Sequence, residues 1–195
     1  LGTMFDLNGT TYIAFGDTFG CCQPPEGGGR GGLWRNTTLA HSTDHDLEDG
    51  ITLDSWTANM YGQARTVVHR VPGDVTVNPT AGISVGDRLF LHYMAVKEWG
   101  APGHWTLNRS GWAYSDDGGQ RWIQPNRSVW EGDTNFGMAG LVKDGDYLYV
   151  FGTHGGRYSG VHLARVSADP DAVLDMSAYT YWDGTDNHFS NGFVQ

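Results

Sequence analysis

The chain is 195 residues long, 39% hydrophobic and 13% aromatic, with a formal net charge of −10 at pH 7. A chain of this length is usually one domain with a sizeable core. Its negative charge repels phosphate backbones and argues against nucleic acid as a partner, and no apolar run approaches the roughly 18 residues of a membrane span. The 29 glycines and the near absence of helical periodicity, outside a short helical pattern over 169–178, predict an all-β protein with many tight turns.

A unit of turn, strand, second strand and closing tryptophan occurs three times along the chain. The turn and first strand of each unit cover 8–17, 86–94 and 145–153. The second strand of each unit ends in a polar turn and covers 39–44, 112–117 and 163–169. A further strand precedes the second and third units, over 80–85 and 138–143, and the closing tryptophans are Trp56, Trp122 and Trp182. This repeated order predicts three structurally equivalent modules.

Four short strands per unit, at a spacing of about 60 residues, favour the blades of a β-propeller over a sandwich of hairpins. We expect a first blade over about 1–60, a second over 75–125, a third over 135–185 and the start of a fourth over 186–195. Three blades do not close a ring, and closure is how a propeller protects its sheet edges. The chain is therefore expected to be the N-terminal part of a larger propeller.

One carboxylate distinguishes the first unit from the other two. Aligned on the turn glycine, Asp17 falls where the other units have Met94 and Thr153. Burying an ionised carboxylate costs several kcal/mol unless it is paired, so an acid at the end of one repeated strand is hard to explain as structure alone. Asp17 is predicted to be catalytic. The alternative is that it caps a turn or pairs with an arginine such as Arg35.

Further polar and aromatic side chains are expected at the same mouth of the propeller. Two asparagines stand just before strands of the second and third units, and a histidine and an arginine follow the strand equivalent to that of Asp17. Such side chains beside aromatic faces suit a sugar, because its hydroxyls need donors and acceptors while its C–H faces stack on rings. The predicted substrate-binding residues are Trp34, Arg35, Asn78, Asn135, His154 and Arg157, with Trp99 and Trp105 as further aromatic faces.

The segment 115–122 fits the pattern S-x-D-x-G-x-x-W, the Asp-box of sialidase-like propellers. A short acid can accept backbone N–H bonds across a hairpin, glycine supplies the positive φ, and the tryptophan packs beneath. We therefore expect Asp117 to be structural.

An acidic run, a glycine-rich stretch and a pair of cysteines are candidate sites for a metal, a phosphate or a disulfide, and none of the three patterns fits. The acidic run 44–50 places its glycine one residue late for an EF-hand and is interpreted as a solvated turn. The glycine-rich stretch 27–32 has neither the P-loop lysine nor a following helix, so it is interpreted as a flexible loop over the Asp17 mouth. The adjacent Cys21 and Cys22 would form a strained disulfide, because neighbouring Cα atoms are only about 3.8 Å apart.

Several motifs, taken in order, resemble one known family. They are the segment 12–20, which contains Phe15-Gly16-Asp17-Thr18, then Trp34-Arg35-Asn36-Thr37, then Asp49-Gly50-Ile51-Thr52. In this order they resemble an actinobacterial domain long catalogued as of unknown function and later assigned to endo-D-arabinanases, glycoside hydrolase family 183. The resemblance covers nearly the whole chain, and the phenylalanine–glycine–aspartate–threonine element is its most specific part.

The resemblance implies a secreted or cell-envelope enzyme with a five-bladed propeller. Its substrate would be arabinan, the α-linked D-arabinofuranosyl chains of mycobacterial arabinogalactan and lipoarabinomannan. The implied catalytic pair is Asp17 and a second aspartate about one strand earlier, which falls immediately upstream of Leu1 and so outside this chain. Paired carboxylates are also what glycoside hydrolysis requires chemically.

Two other functions stay open on the residues alone. The Asp-box suggests a sialidase-type propeller, although neither an arginine triad nor a tyrosine nucleophile can be located. A non-catalytic glycan-binding propeller would use Asp17 only to hydrogen-bond a sugar hydroxyl.

Overall fold

The computed structural model describes residues 2–20, 31–46, 48–132, 134–186 and 188–192. These residues form three antiparallel sheets, and the prediction of an all-β protein is confirmed. Two short 3-10 turns, Ala172–Leu174 and Met176–Ala178, occupy the segment where the sequence pattern predicts a short helix. Among the described residues no helix is long and apolar enough to cross a membrane.

Each sheet is a simple meander, with strands hydrogen-bonded in the order in which they follow along the chain. The first sheet contains β1 (Gly2–Leu7), β2 (Thr10–Phe19), β3 (Trp34–Ser42) and β4 (Ser55–Trp56). The second contains β5 (Thr76–Val85), β6 (Arg88–Trp99), β7 (Trp105–Ser115) and β8 (Val129–Glu131). The third contains β9 (Met138–Asp144), β10 (Tyr147–Thr153), β11 (His162–Ser167), β12 (Thr180–Trp182) and β13 (Phe189–Ser190).

Two sheet boundaries differ from the spacing inferred from the sequence. The second sheet ends with β8, which follows Trp122 by seven residues, because Trp122 lies in a turn where Ile123 forms only an isolated bridge with Tyr114. The third sheet includes β13, within the stretch interpreted as the start of a fourth unit. Hydrogen-bond pairing, and not the position of the tryptophan, decides where each sheet ends.

The turn of 115–122 is closed by the side chain of Asp117, as its sequence pattern predicts. Asp117 Oδ1 accepts the backbone N–H of Arg121 at 2.8 Å and the hydroxyl of Ser115 at 2.9 Å. Trp122 donates its indole N–H to the carbonyl of Gly119 at 3.0 Å. These contacts all lie within the hairpin, and they stabilise its turn.

The first strands of the three sheets pack side by side, β1 against β5 and β5 against β9. One apolar cluster fills the space between the first two sheets, with Phe5, Leu39, Val77 and Leu91 among its buried members. A second cluster lies between the second and third sheets. Because β2 also contacts β5, the end of β2 that carries Asp17 lies beside the first residues of the second sheet.

Candidate functional site

Asp17 has an unusual backbone conformation. Its φ is +36°, and Asn8 is the other non-glycine residue with positive φ in the described part of the chain. The β2–β3 register pairs Gly16 with Thr37 and Thr18 with Arg35 but contains no pair at Asp17. A left-handed conformation costs an L-residue about 1–2 kcal/mol, and such strain is concentrated at functional sites. The interruption of the ladder aims the Asp17 side chain at the neighbouring sheet.

The Asp17 carboxylate accepts three side-chain hydrogen bonds from two other strands. Oδ1 accepts the indole Nε1–H of Trp34 at 3.0 Å and the hydroxyl of Thr76 at 2.7 Å. Oδ2 accepts Nδ2–H of Asn78 at 3.0 Å. Three donors on two strands hold the Asp17 carboxylate in one orientation. Among the described residues, the partners of Asp17 are thus neutral donors and not a cation.

Gly16 makes room for this arrangement. A Cβ atom at Gly16 would lie 2.6 Å from Asn78 Oδ1 and 3.0 Å from Asn78 Cγ. Asn78 is only 2% exposed, so it has little space to retreat. The glycine is required here by the close approach of the Asn78 side chain.

A pocket of about 320 Å³ opens over the carboxylate. Trp99 and Trp105 form one wall, with their ring centroids 5.8 Å apart and their planes at 65°. The residues that line the pocket are Gly16, Asp17, Asn78, Trp99, Trp105, Met138 and Arg157. A carboxylate, an amide and a guanidinium beside two indoles give both the polar groups and the apolar faces that a sugar contacts.

Two loops from different sheets hold the outer wall of this pocket together. Between β6 and β7, Gly103 accepts the backbone N–H of Arg157 at 2.9 Å. The His104 ring packs on Tyr158 with centroids 4.9 Å apart. These contacts join the β10–β11 loop to the hairpin that carries Trp99 and Trp105, and they place Arg157 at the pocket.

The structure brings several of the predicted residues together. Asp17, Asn78 and Arg157 line the same pocket, and Trp34 contacts Asp17 directly. Asn78 lies inside β5 and not just before a strand, because β5 begins at Thr76. These four residues form the core of the candidate site.

The other predicted residues lie elsewhere in the described structure. Arg35 donates to the carbonyls of Ala64 at 3.1 Å and Trp34 at 3.0 Å, so the alternative in which it pairs with Asp17 is wrong. Asn135 is buried before β9. His154 is exposed beyond β10, with its ring 6.4 Å from that of His162. Neither residue is among those that line the Asp17 pocket.

Thr76 is a residue of the candidate site that sequence reasoning missed. Its hydroxyl makes the shortest bond to Asp17, and the side chain is 2% exposed. Thr76 and Asn78 are two residues apart on one strand, so their side chains share a face. This two-residue spacing was the one sign in the sequence that Thr76 accompanies Asn78. It occurs in every strand, so it does not predict a site unless the neighbouring sheet is known.

The acidic run 44–50 contains a turn that is held by side-chain hydrogen bonds of Asp44. In the described residues, His, Cys, Asp and Glu form no group of three that could hold a metal ion. Asp44 accepts the backbone N–H groups of Asp46 at 3.0 Å and Thr52 at 2.8 Å, and these bonds lower the pKa of its carboxyl. Cys21, Cys22 and most of the glycine-rich stretch lie outside the described residues.

A family model described as "Domain of unknown function (DUF4185)" matches residues 1–192. The chain belongs to this family. The description of this family names no activity.

Three known proteins are similar to this DUF4185 chain. "Notoamide biosynthesis cluster protein J" of Aspergillus sp. (strain MF297-2) is 30% identical over 202 residues, covering 93% of this chain and 52% of that protein. A solved structure described as "a putative hydrolase from Bacteroides ovatus ATCC 8483" aligns over 100% of this chain and 54% of its own, with a TM-score of 0.62 and 15% identity. A xylan beta-1,4-xylosidase from Bacillus halodurans C-125 aligns over 95% of this chain and 42% of its own, with 12% identity and a TM-score of 0.35, too low to support an argument.

The Bacteroides structure shows that the arrangement of sheets occurs in another protein, and at this level of identity it shows the fold alone. The chain spans about half the length of the first relatives it matches, 52% and 54% respectively.

Proposed function

We propose that this DUF4185 chain is part of a β-propeller glycoside hydrolase that cleaves α-D-arabinofuranosyl linkages in arabinan, with Asp17 as one of two catalytic carboxylates. The observation that carries the proposal is the Asp17 carboxylate. Asp17 has a positive φ and interrupts the pairing of β2 with β3. Its carboxylate accepts three hydrogen bonds beneath a pocket that two tryptophans line.

A propeller is supported by the arrangement of the sheets. Each one is a four- or five-stranded antiparallel meander, and the first strands β1, β5 and β9 pack together, as the inner strands of blades do. We propose that each sheet is one blade, and that the further blades belong to a longer protein.

Both oxygens of Asp17 accept hydrogen bonds from N–H or O–H groups, which hold the carboxyl group in one orientation beneath the pocket. Glycoside hydrolysis uses two carboxyl groups across the scissile bond, and we propose Asp17 as one of them.

The position of that second group rests on the resemblance. The resemblance to endo-D-arabinanases implies an aspartate about one strand earlier than Asp17, and membership of the DUF4185 family is consistent with that resemblance.

The substrate class rests on the pocket and on the resemblance together. Two indoles, the Asn78 amide and the Arg157 guanidinium suit a carbohydrate. The resemblance narrows this to arabinofuranosyl chains, and a cell-wall polysaccharide as substrate requires the enzyme to be secreted or attached to the cell envelope.

The experiment that tests the proposal measures reducing-end release from mycobacterial arabinan by the full-length protein. We expect release by the wild type and its loss in Asp17→Asn. Sialoside turnover by the wild type would instead favour a sialidase-type enzyme.

A non-catalytic glycan-binding propeller is the second candidate function. It is favoured by one observation, that the Asp17 carboxylate already has three partners within the protein. Binding of arabinan without release of reducing ends would support this function and overturn the enzymatic one.

A further inference from the structure

A second pocket, which Trp34 lines, is surrounded by three arginines. Its volume is about 480 Å³, larger than that of the pocket over Asp17. We call it the arginine pocket; it is lined by Trp34, Arg35, Asn36, Arg65, Thr66, His69 and Arg70. Three of the chain's 12 basic residues thus surround one depression in a protein with a net charge of −10.

These arginines form no ion pair with a carboxylate of the described residues. In the described part of the chain, arginine ion pairs are made by Arg88 and Arg109. Arg35 donates to two backbone carbonyls, and Arg70 donates to the carbonyls of Asp74 and Val75 at 3.3 and 3.1 Å. Carbonyl oxygens fix the position of a guanidinium without neutralising it, so the pocket keeps its positive charge.

Arg65 also lines this pocket, and one of its terminal nitrogens donates to the carbonyl of Gln120. Like Arg35 and Arg70, it is held by a carbonyl oxygen, which does not neutralise the guanidinium.

The arginine pocket shares Trp34 with the site of Asp17. The Arg70 guanidinium lies over the Trp34 ring, 4.7 Å from its centroid, while the indole N–H bonds Asp17. A ligand that changes the contact between Arg70 and Trp34 therefore acts on a residue that touches the carboxylate.

We propose that the arginine pocket binds an oxyanion, a phosphate or carboxylate group, adjacent to the carbohydrate site. Planar guanidinium groups match the oxygen geometry of such anions and bind them through charge-assisted hydrogen bonds. The anion belongs either to a small free molecule or to a charged substituent of a glycan. This proposal goes beyond the glycosidase function and does not depend on it, because binding can be measured without turnover.

The structural alternative is that the arginines only tie the connection between β4 and β5 to the rest of the protein. His69 N–H donates to Gln124 Oε1 at 2.7 Å in the same region, and the Asp74–Arg109 ion pair anchors the end of that connection. Under this alternative the pocket has no affinity for anions.

The test is calorimetric titration of the full-length protein with inorganic phosphate and acetate at constant ionic strength, with chloride as reference. We expect saturable binding of at least one anion by the wild type and an affinity at least about tenfold lower in Arg70→Gln, a loss of one or two charge-assisted bonds. Arg127→Gln removes an exposed arginine outside the pocket and should bind as the wild type does. Absence of saturable binding, or equal loss in both variants, overturns the proposal.

A second measurement, on the wild-type protein, tests the proposal even if Arg70→Gln misfolds. The indole N–H resonance of Trp34, assigned by its disappearance in Trp34→Phe, should shift on addition of the anion and saturate with the calorimetric affinity. An unchanged resonance at saturating phosphate and acetate would overturn the proposed site.

The two sources of the anion are separated by a third titrant, an oligosaccharide that carries uronic acid groups. Tighter binding of this oligosaccharide than of acetate, abolished in Arg70→Gln, identifies a glycan-borne anion. Equal affinity for both identifies a free anion as the ligand.

Discussion

The amide of Asn78 donates through Nδ2 to Asp17 Oδ2 at 3.0 Å, across the interface between the first and second sheets. The Oδ1 atom of the same amide is buried and accepts no hydrogen bond from the described residues. Rotation of the amide would turn Oδ1 towards the carboxylate, so the charge on Asp17 decides which way Asn78 points. The orientations of the Asp17 carboxylate and the Asn78 amide are therefore coupled, and a substitution of either residue should change the orientation of the other.

The first prediction is that Asp17→Asn abolishes turnover without unfolding the protein. The new amide can still accept from Trp34 and Thr76, and rotation of Asn78 would present its unused Oδ1 to the new NH₂ group. We expect turnover of arabinan by the full-length protein to fall by about 10²–10⁴-fold, with an unchanged or slightly higher melting temperature. Wild-type turnover in this variant would exclude a catalytic role for Asp17.

The matched control for that prediction is Asp117→Ala. Asp117 closes the 115–122 turn through Ser115 and Arg121, and its pKa is lowered by those hydrogen bonds despite partial desolvation. Its loss should lower the free energy of unfolding by about 1–3 kcal/mol, while the folded enzyme keeps its rate. Melting curves and turnover, measured on both variants, distinguish a catalytic aspartate from a structural one.

The second prediction concerns Thr76→Val. Valine has nearly the same shape, so the packing of this buried position is kept while Asp17 Oδ1 loses its 2.7 Å partner. A hydrogen bond to a charged group is worth about 1.5–3 kcal/mol, and we expect kcat to fall about tenfold or more. Thr106→Val, an exposed position on β7, serves as the control. Equal kcat values for the two variants would show that Thr76 does not position the carboxylate.

The third prediction compares two glycines within strands. Gly16→Ala places Cβ 2.6 Å from Asn78 Oδ1, whereas the same change at Gly140 meets nothing within 4 Å. Gly16→Ala should displace Asn78 and so lower both stability and turnover, with an expected destabilisation of about 1–3 kcal/mol from overpacking. Gly140→Ala should be neutral in urea denaturation and in turnover. The prediction fails if both alanines behave alike.

The fourth prediction is a loss of stability at acidic pH that depends on His92. Burial lowers the pKa of His92 from 6.5 to about 3, and its Nδ1 lies 2.6 Å from the Thr80 hydroxyl. Between these two pKa values the unfolded chain binds a proton that the folded chain does not. His92 should therefore reduce the free energy of unfolding by up to about 1.4 kcal/mol per unit as pH falls through this window.

The variant His92→Gln tests this dependence in urea titrations from pH 8 to pH 3. It should be less stable than the wild type at pH 8, because packing against Trp112 and Trp130 is disturbed. Its stability should then fall less steeply on acidification, so that the two curves converge. His45→Gln, at an exposed position, should run parallel to the wild type; parallel curves for His92→Gln would contradict the assignment.

Local pattern was sufficient to predict the repeated hairpins and to single out Asp17. Side-chain alternation and turn glycines operate over a few residues, so the predicted segments 8–17, 86–94 and 145–153 fall on β2, β6 and β10, and the hairpin closed by Asp117 was also predicted. The strand ends were not predicted: β2 and β6 continue to Phe19 and Trp99, and β8 had no predicted counterpart. The repeat also singles out Asp17, because the comparison with Met94 and Thr153 needs no coordinates.

Only the tertiary structure decided which side chains meet at the site. Thr76 and Asn78 reach Asp17 across 59 and 61 residues of sequence, through a contact between β2 and β5 that no local pattern specifies. Arg35 follows Trp34 directly, yet alternation along β3 and bonds to two carbonyls place its guanidinium away from the carboxylate. The sequence by itself thus determined the repeated hairpins and the exceptional acid. The packing of the sheets determined the partners of that acid, because contacts between sheets depend on register and on the unusual φ of Asp17.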